Sequence, residues 1–351
     1  IPFIFPGNIL ININIILMKI LITGSAGFIG FSIAHDLLKV GHTILGYDSI
    51  NNYYDVKLKH ERNKILKKFK KYNFVKGELE NYKKVNNTVI NFKPEIILHL
   101  AAQAGVRYSL IAPKKYLSSN INGTFNIIEA ARHANVKHLL IASSSSVYGL
   151  SKKKKFKEID KVDDQISIYA ATKKSTESIA HAYSSLWKIP ITMLRFFTVY
   201  GPWGRPDMAY FKFTQSIINQ RKIDVYNNGH MFRDFTYIDD VVKSITLLLN
   251  KLPNNKIKKK SKNDSISSVA PFRIVNIGNQ NKILLKDFIN TIEKALNLKA
   301  KKNFLPIQKG DVKETLSDSS LLYEITKYKP KINYVEGITR FIKWYKDYYQ
   351  V

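Results

Sequence analysis

Residues 19–30 read KILITGSAGFIG. A short run rich in β-branched residues leads straight into glycines at 24, 27 and 30, and an amphipathic run, Ile29–Val40, follows. Glycine meets three steric demands here: the turn is tight, the backbone must approach a pyrophosphate, and the following helix must press against the strand it leaves. The helix start offers unpaired N–H groups and a positive dipole end to phosphate. A second apolar run, 42–48, ends in Asp48, 18 residues past Gly30. A carboxylate there accepts hydrogen bonds from both hydroxyls of an adenosine ribose and repels a 2′-phosphate, which favours NAD over NADP. Gly24, Gly27, Phe28, Ile29, Gly30 and Asp48 are the first candidate cofactor contacts.

Outward from this turn, strand-length apolar runs alternate with helix-length amphipathic runs through the first two-thirds of the chain, the rhythm of a parallel sheet covered by helices. Ile96–Leu100 and residues 138–142 are apolar but for one histidine each, as strands buried on both faces are. The fold class expected is α/β: a Rossmann-type doubly wound parallel sheet over residues 18–195, carrying the catalytic residues, and a smaller mixed C-terminal domain over 196–351, some of whose segments return to the sheet. The lysine-rich stretch Pro253–Ser268 has no periodicity and reads as a mobile surface loop.

Tyr169 and Lys173 lie four apart at the start of a helical run, a spacing that stacks both on one face. A free phenol titrates near pH 10; a neighbouring ammonium and the positive nicotinamide ring stabilise its anion and make it a usable base. Ahead of this pair, ASSSSVYG (142–149) places serines at the carboxyl end of a central strand, where such sheets bind ligands. Leu100, Ala101 and Ala102 end another strand with residues that let a nicotinamide pass over the sheet edge.

GSAGFIG, YDSINNYYDVKLK, HLAAQAGVRYS, ASSSSVYG, YAATKK, LRFFTVYGPWGRPDMA, MFRDFTYIDD and LPIQKGDV together resemble the extended short-chain dehydrogenase/reductases, within them the NAD-dependent nucleotide-sugar epimerases, and most closely the UDP-glucuronate 4-epimerases. The resemblance runs from about Met18 to the C-terminus. It implies Ser144 as a catalytic hydroxyl beside Tyr169 and Lys173, and Asn120, Glu78 and Leu79 as further contacts to NAD. It implies Arg107, Arg233, Gln308 and Asp311 as contacts to a UDP-sugar, with Ser145, Ser146, Thr198 and Arg205 around a sugar carboxylate. Glu78 stands where the family usually has aspartate, and Gln308 where other epimerases have arginine. The implied reaction is inversion at C4 through a 4-keto sugar, by a cytoplasmic homodimer. Serines at 145 and 146 replace the acids that related dehydratases and decarboxylases carry beside VYG. A UDP-glucose or UDP-N-acetylhexosamine 4-epimerase is the nearest alternative, and an RNA-binding short-chain fold is one of another class.

The chain has 351 residues, about two domains' worth, with 45% apolar and 24% charged residues, which excludes a disordered or fibrous protein. It has no cysteine, which excludes disulfides, thiolate metal sites and a cysteine nucleophile; no metal is expected. The net charge of +29 attracts phosphate-bearing partners. Much of it lies in lysine runs such as 152–155 and 258–260, read as solvated surface, so no nucleic-acid partner is expected. Residues 1–17 contain two prolines and three asparagines and begin without a basic segment. They fit neither a signal peptide nor a membrane span well and are read as an extension, with a membrane anchor the sharper alternative.

Overall fold

The computed structural model describes residues 16–254, 261–308 and 310–351. Among the described residues twelve strands follow one another: β1 (Lys19–Thr23), β2 (Thr43–Asp48), β3 (Tyr72–Lys76), β4 (Ile96–His99), β5 (His138–Ser144), β6 (Ile191–Phe196), β7 (Thr198–Tyr200), β8 (Lys222–Tyr226), β9 (Phe232–Tyr237), β10 (Phe272–Ile277), β11 (Lys282–Leu284) and β12 (Lys301–Leu305). Seven of them form one sheet in the order β10-β6-β5-β4-β1-β2-β3, parallel throughout.

Alternation within the strands builds the two faces. Ile20, Ile22, Leu98 and Leu140 enter one apolar cluster, while Leu21, Leu45, Ile97, Leu139 and Ile141 enter the other. Helices cover both sides, so the central strands carry apolar residues on both faces, which is why they read as nearly unbroken apolar runs. Strand order reverses beside β1, between β2 and β4. At such a switch point the strand ends diverge and leave a crevice at their carboxyl edge.

The C-terminal part adds a three-stranded sheet, β11-β9-β7, and a parallel pair, β12-β8, and it returns β10 to the edge of the central sheet beside β6. The last helix, Tyr334–Tyr349, is pinned by an aromatic cluster in which Trp344 lies 5.3 Å from Trp203.

The stretch read as a mobile loop behaves otherwise where it is described. Residues 255–260 lie outside the described residues, but Asp264 and Ile266 are buried, Arg273 Nε donates to Asp264 Oδ1 at 3.2 Å, and Ser267 N donates to Phe272 O at 2.9 Å. A polar segment without periodicity is thus held along β10 by its own side chains. Residues 1–15, most of the proposed extension, also lie outside the described residues. Among the described residues no helix is long and apolar enough to cross a membrane.

Candidate active site

The crevice is a cleft of about 420 Å³ between the carboxyl edge of the sheet and the C-terminal part. Its floor begins at the glycine turn. Gly24 has φ +73°, and a Cβ there would sit 2.8 Å from Ala101 N. A Cβ on Gly30 would meet Gly24 O at 2.0 Å, so any side chain would push the helix Phe28–Val40 off the turn. Gly27 caps that helix with extended backbone and no side-chain acceptor, which leaves its first amides for a ligand. These are the features a dinucleotide needs, a cradle that admits no Cβ and an uncapped helix start, and the residues present fit NAD.

Asp48, at the end of β2, is aimed by two backbone amides: Oδ2 accepts from Ala26 N at 3.0 Å and Oδ1 from Ile50 N at 2.8 Å. Lys59 stands beside it in the wall, with Nζ donating to Asn51 O at 2.6 Å and Oδ1 at 2.7 Å. Burial pushes that ammonium down to about 8, with the Asp48 charge opposing. Sequence reasoning missed Lys59; its signal was a lysine three before Arg62, both on the buried face of helix Val56–Leu66. Glu78 and Leu79 line the same end, and burial, then Glu80, raise the Glu78 carboxyl. Leu100, Ala101 and Ala102 line the wall beneath the turn. Behind them His99 is held neutral, pushed by burial down to about 3, between Thr23 Oγ1 at 2.7 Å and Thr124 Oγ1 at 3.0 Å.

Asn120 is not in the cleft wall. It is fully buried in a π-helical turn, Leu117–Asn122; its Nδ2 donates to Gln103 O at 3.0 Å and Thr172 Oγ1 at 3.1 Å, and its Oδ1 accepts from Gln103 N at 2.8 Å. With those bonds made, it braces the 103 loop from behind the wall.

Helix Ile168–Trp187 is capped by Ser167, whose Oγ accepts from Ala170 N at 3.1 Å. Tyr169, Lys173 and Glu177 follow at intervals of four on its inner face. Lys173 Nζ donates to Ala142 O at 2.8 Å, and burial pushes the amine down to about 8 while Glu177 opposes. Glu177, equally buried, accepts from Ser143 Oγ at 2.7 Å and from Arg195 Nε and Nη2 at 2.8 Å each. This carboxylate is a second residue the sequence reading missed; the spacing from Lys173 was its signal.

Burial raises the Tyr169 phenol, while a hydrogen bond with Ser144 and the charge of Arg205 pull the other way. The Lys173 amine donates to a backbone carbonyl one helical turn from the phenol, and Arg205 is a second cation beside it. Ser144 ends β5, with Oγ 3.2 Å from Ser146 Oγ and accepting from Ser146 N at 3.1 Å.

Ser145, Ser146, Thr198, Arg205, Arg233 and Asp311 complete the wall. Arg233 Nη1 donates to Phe232 O at 2.8 Å and Lys313 O at 3.2 Å; burial draws its guanidinium down, against the pull of Asp311. Arg107 and Gln308 are not wall residues. Arg107 lies at the rim, half exposed, with Nη2 3.1 Å from Asp311 Oδ2 and its guanidinium 4.4 Å from the Tyr226 ring centroid, so it holds a wall residue instead of forming the wall. Gln308 lies beside that rim with its Oε1 buried and without a partner among the described residues.

One guanidinium ties the two halves together. Fully buried Arg62 donates through Nη1 to Ala26 O at 3.0 Å and Tyr54 Oη at 2.8 Å, and through Nη2 to Trp203 O at 2.6 Å and Gly204 O at 3.0 Å. The glycine turn and the loop leading to Arg205 are thereby fixed to each other.

The sequence pattern described as "NAD dependent epimerase/dehydratase family" matches residues 20–261. The chain is 49% identical over 334 residues to "Protein CapI" of Staphylococcus aureus, covering 95% of this chain and 100% of that protein. It is 47% identical over 335 residues to "Probable UDP-glucuronate 4-epimerase" of Rhizobium meliloti (strain 1021), covering 95% and 98%. Among solved structures it is similar to the UDP-glucuronic acid 4-epimerase from Bacillus cereus in complex with UDP-glucuronic acid and NAD, with a TM-score of 0.84 and 30% identity over 95% of this chain and 100% of that one.

Proposed function

The chain belongs to the NAD dependent epimerase/dehydratase family, and from that premise we propose that it inverts C4 of UDP-glucuronate to give UDP-galacturonate. The observation that carries this reading is the cleft itself: Tyr169 and Ser144 at the sheet edge beside a glycine cradle, facing Thr198 and Arg205. NAD, when bound, supplies the acceptor and donor for the hydride at C4, so no net oxidation results.

The chain's own residues do the rest. Tyr169 Oη takes the proton of the C4 hydroxyl and later returns one, with Ser144 hydrogen-bonded to it as relay. Lys173 holds its ammonium against Ala142 O, and Glu177 one turn on keeps it charged. Amides at Phe28, Ile29 and Gly30 meet the pyrophosphate, Asp48 with Lys59 the adenosine ribose, and Glu78 with Leu79 the adenine.

On the substrate side Arg233 meets the diphosphate and Asp311 the uridine ribose, with the Gln308 acceptor nearby. Ser145, Ser146, Thr198 and Arg205 hold the sugar carboxylate by charge-assisted bonds worth about 1.5–3 kcal/mol each. The reading is of a cytoplasmic enzyme that acts without nucleic acid, as a homodimer; exposed Phe125, Leu186 and Trp187 on neighbouring helices are the apolar surface for a second copy.

Incubating the purified protein with UDP-glucuronate and separating the C4 epimers by anion-exchange chromatography tests the proposal. Both epimers should accumulate to a fixed ratio with no consumption of NAD. Unchanged UDP-glucuronate alongside epimerised UDP-glucose would move the assignment to the neutral sugars.

A further inference from the structure

Arg205 stands in the cleft wall, and the carboxylate that holds it does not. Asp207 meets the guanidinium side-on: Nε donates to Oδ1 at 3.0 Å and Nη2 to Oδ2 at 2.5 Å. Tyr53 Oη donates to the same Oδ2 at 3.2 Å, and its ring lies 5.0 Å from that of Tyr108. A Cβ on Gly105 would come within 2.4 Å of that hydroxyl, so the backbone of the 105 turn closes over Tyr53. A side-on pair uses two of a guanidinium's five donors, and two of the other three lie along the Nη1/Nη2 edge. The reaction proposed above uses neither Asp207 nor Tyr53.

We propose that Asp207, steadied by Tyr53, is a positioning residue that fixes the Nη1/Nη2 edge of Arg205 as a two-point seat for the carboxylate of a uronate, while its own charge tempers that seat. This rests on the C4-inverting reading. Once C4 is a ketone, the uronate is a β-keto acid. The C5–C6 bond can then break, its electron pair passing through C5 to the C4 oxygen; a proton adds at C5, and the products are CO2 and a UDP-4-ketopentose.

That route needs the C5–C6 bond upright to the carbonyl plane, and it needs the carboxylate to give up its charge. Two parallel N–H bonds from a guanidinium that cannot swing oppose both. The Asp207 charge acts differently. Beside Arg205 it makes the pair nearly neutral, so the seat reads a carboxylate by hydrogen-bond geometry more than by attraction.

The two effects have opposite signs, which separates them from simple damage. Wild type, Asp207→Asn and Tyr53→Phe are each incubated with UDP-glucuronate, and UDP-galacturonate and UDP-pentose products are quantified by chromatography and mass. Dissociation constants for UDP-glucuronate and UDP-glucose are measured by calorimetry on the same proteins. Asp207→Asn should raise the decarboxylated share about tenfold, the loss of one charge-assisted bond. It should also increase the preference for UDP-glucuronate over UDP-glucose, because the guanidinium is no longer offset. Tyr53→Phe keeps both charges: the share should rise by about threefold, a neutral hydrogen bond's worth, with the preference unchanged.

A folded Asp207→Asn with wild-type partition overturns the proposal, as does one that weakens both sugars alike. If that variant does not fold, unmoved partition in Tyr53→Phe overturns it. Wild type that never inverts C4 of UDP-glucuronate overturns the functional reading and this inference with it.

Discussion

The cofactor half and the substrate half of the cleft are built on different principles. Around residues 24–30 the surface offered to a ligand is mainly backbone, and its shape depends on side chains that are missing: a Cβ at Gly30 or Gly24 would collide with main-chain atoms. Opposite it, Arg205, Arg233 and Asp311 present charged side chains, each held by a partner: Asp207 meets Arg205, Arg107 meets Asp311, and two main-chain carbonyls hold Arg233. A site made by excluding atoms fails abruptly when one is added. One made of braced side chains degrades by degrees.

The largest expected effect lies in the first kind of site. Gly30→Val should abolish NAD retention, read as the absorbance and mass of dinucleotide co-purifying with the protein, since backbone at 2.0 Å cannot yield as a flexible side chain would. Retained NAD would show that the turn relaxes and would erase the contrast. Tyr169→Phe should come next, lowering kcat by about 10²–10⁴ while leaving NAD bound, the range for loss of a general base.

Glu177→Gln sharpens the comparison by weakening a brace. Burial already holds the Lys173 amine down at about 8, and the Glu177 charge is what opposes that pull. Without it the amine loses its proton at lower pH, so the alkaline limb of the kcat profile should move to lower pH while NAD retention at pH 7 persists. A limb that stays in place would make Glu177 a structural partner of Arg195 alone. The smallest effect belongs to Arg107→Ala: an exposed pair is worth about 0–1 kcal/mol, so the KM for the UDP-sugar should rise by less than about tenfold and the melting temperature should barely change.

The same contrast explains what the sequence made legible. The glycine turn, Asp48 and the Tyr169–Lys173 spacing each rest on a local rule, a turn or a period, and the structure places them in one crevice at the edge of the parallel sheet that the apolar runs announced. Asn120 stands behind the wall, and no local pattern announces its bonds to Gln103 and Thr172. The Arg107–Asp311 pair joins residues 204 positions apart, and no local pattern predicts it. β8 and β12 escaped notice because they pair through mostly exposed lysine-bearing strands, without an apolar run to mark them. Lys59 and Glu177 were recoverable from helical spacing, but only with the buried face already known.

Arg62 leaves a constraint on anyone wishing to redesign this molecule. Because a single side chain is anchored in both the Ala26 and the Trp203–Gly204 main chain, the two halves are not interchangeable cassettes. A hybrid that took its sugar-reading portion from a relative of other preference would inherit a loop cut to that relative's own fastening. Matching the residue at this one junction, far from either ligand's reacting atoms, would decide whether the graft is seated in register.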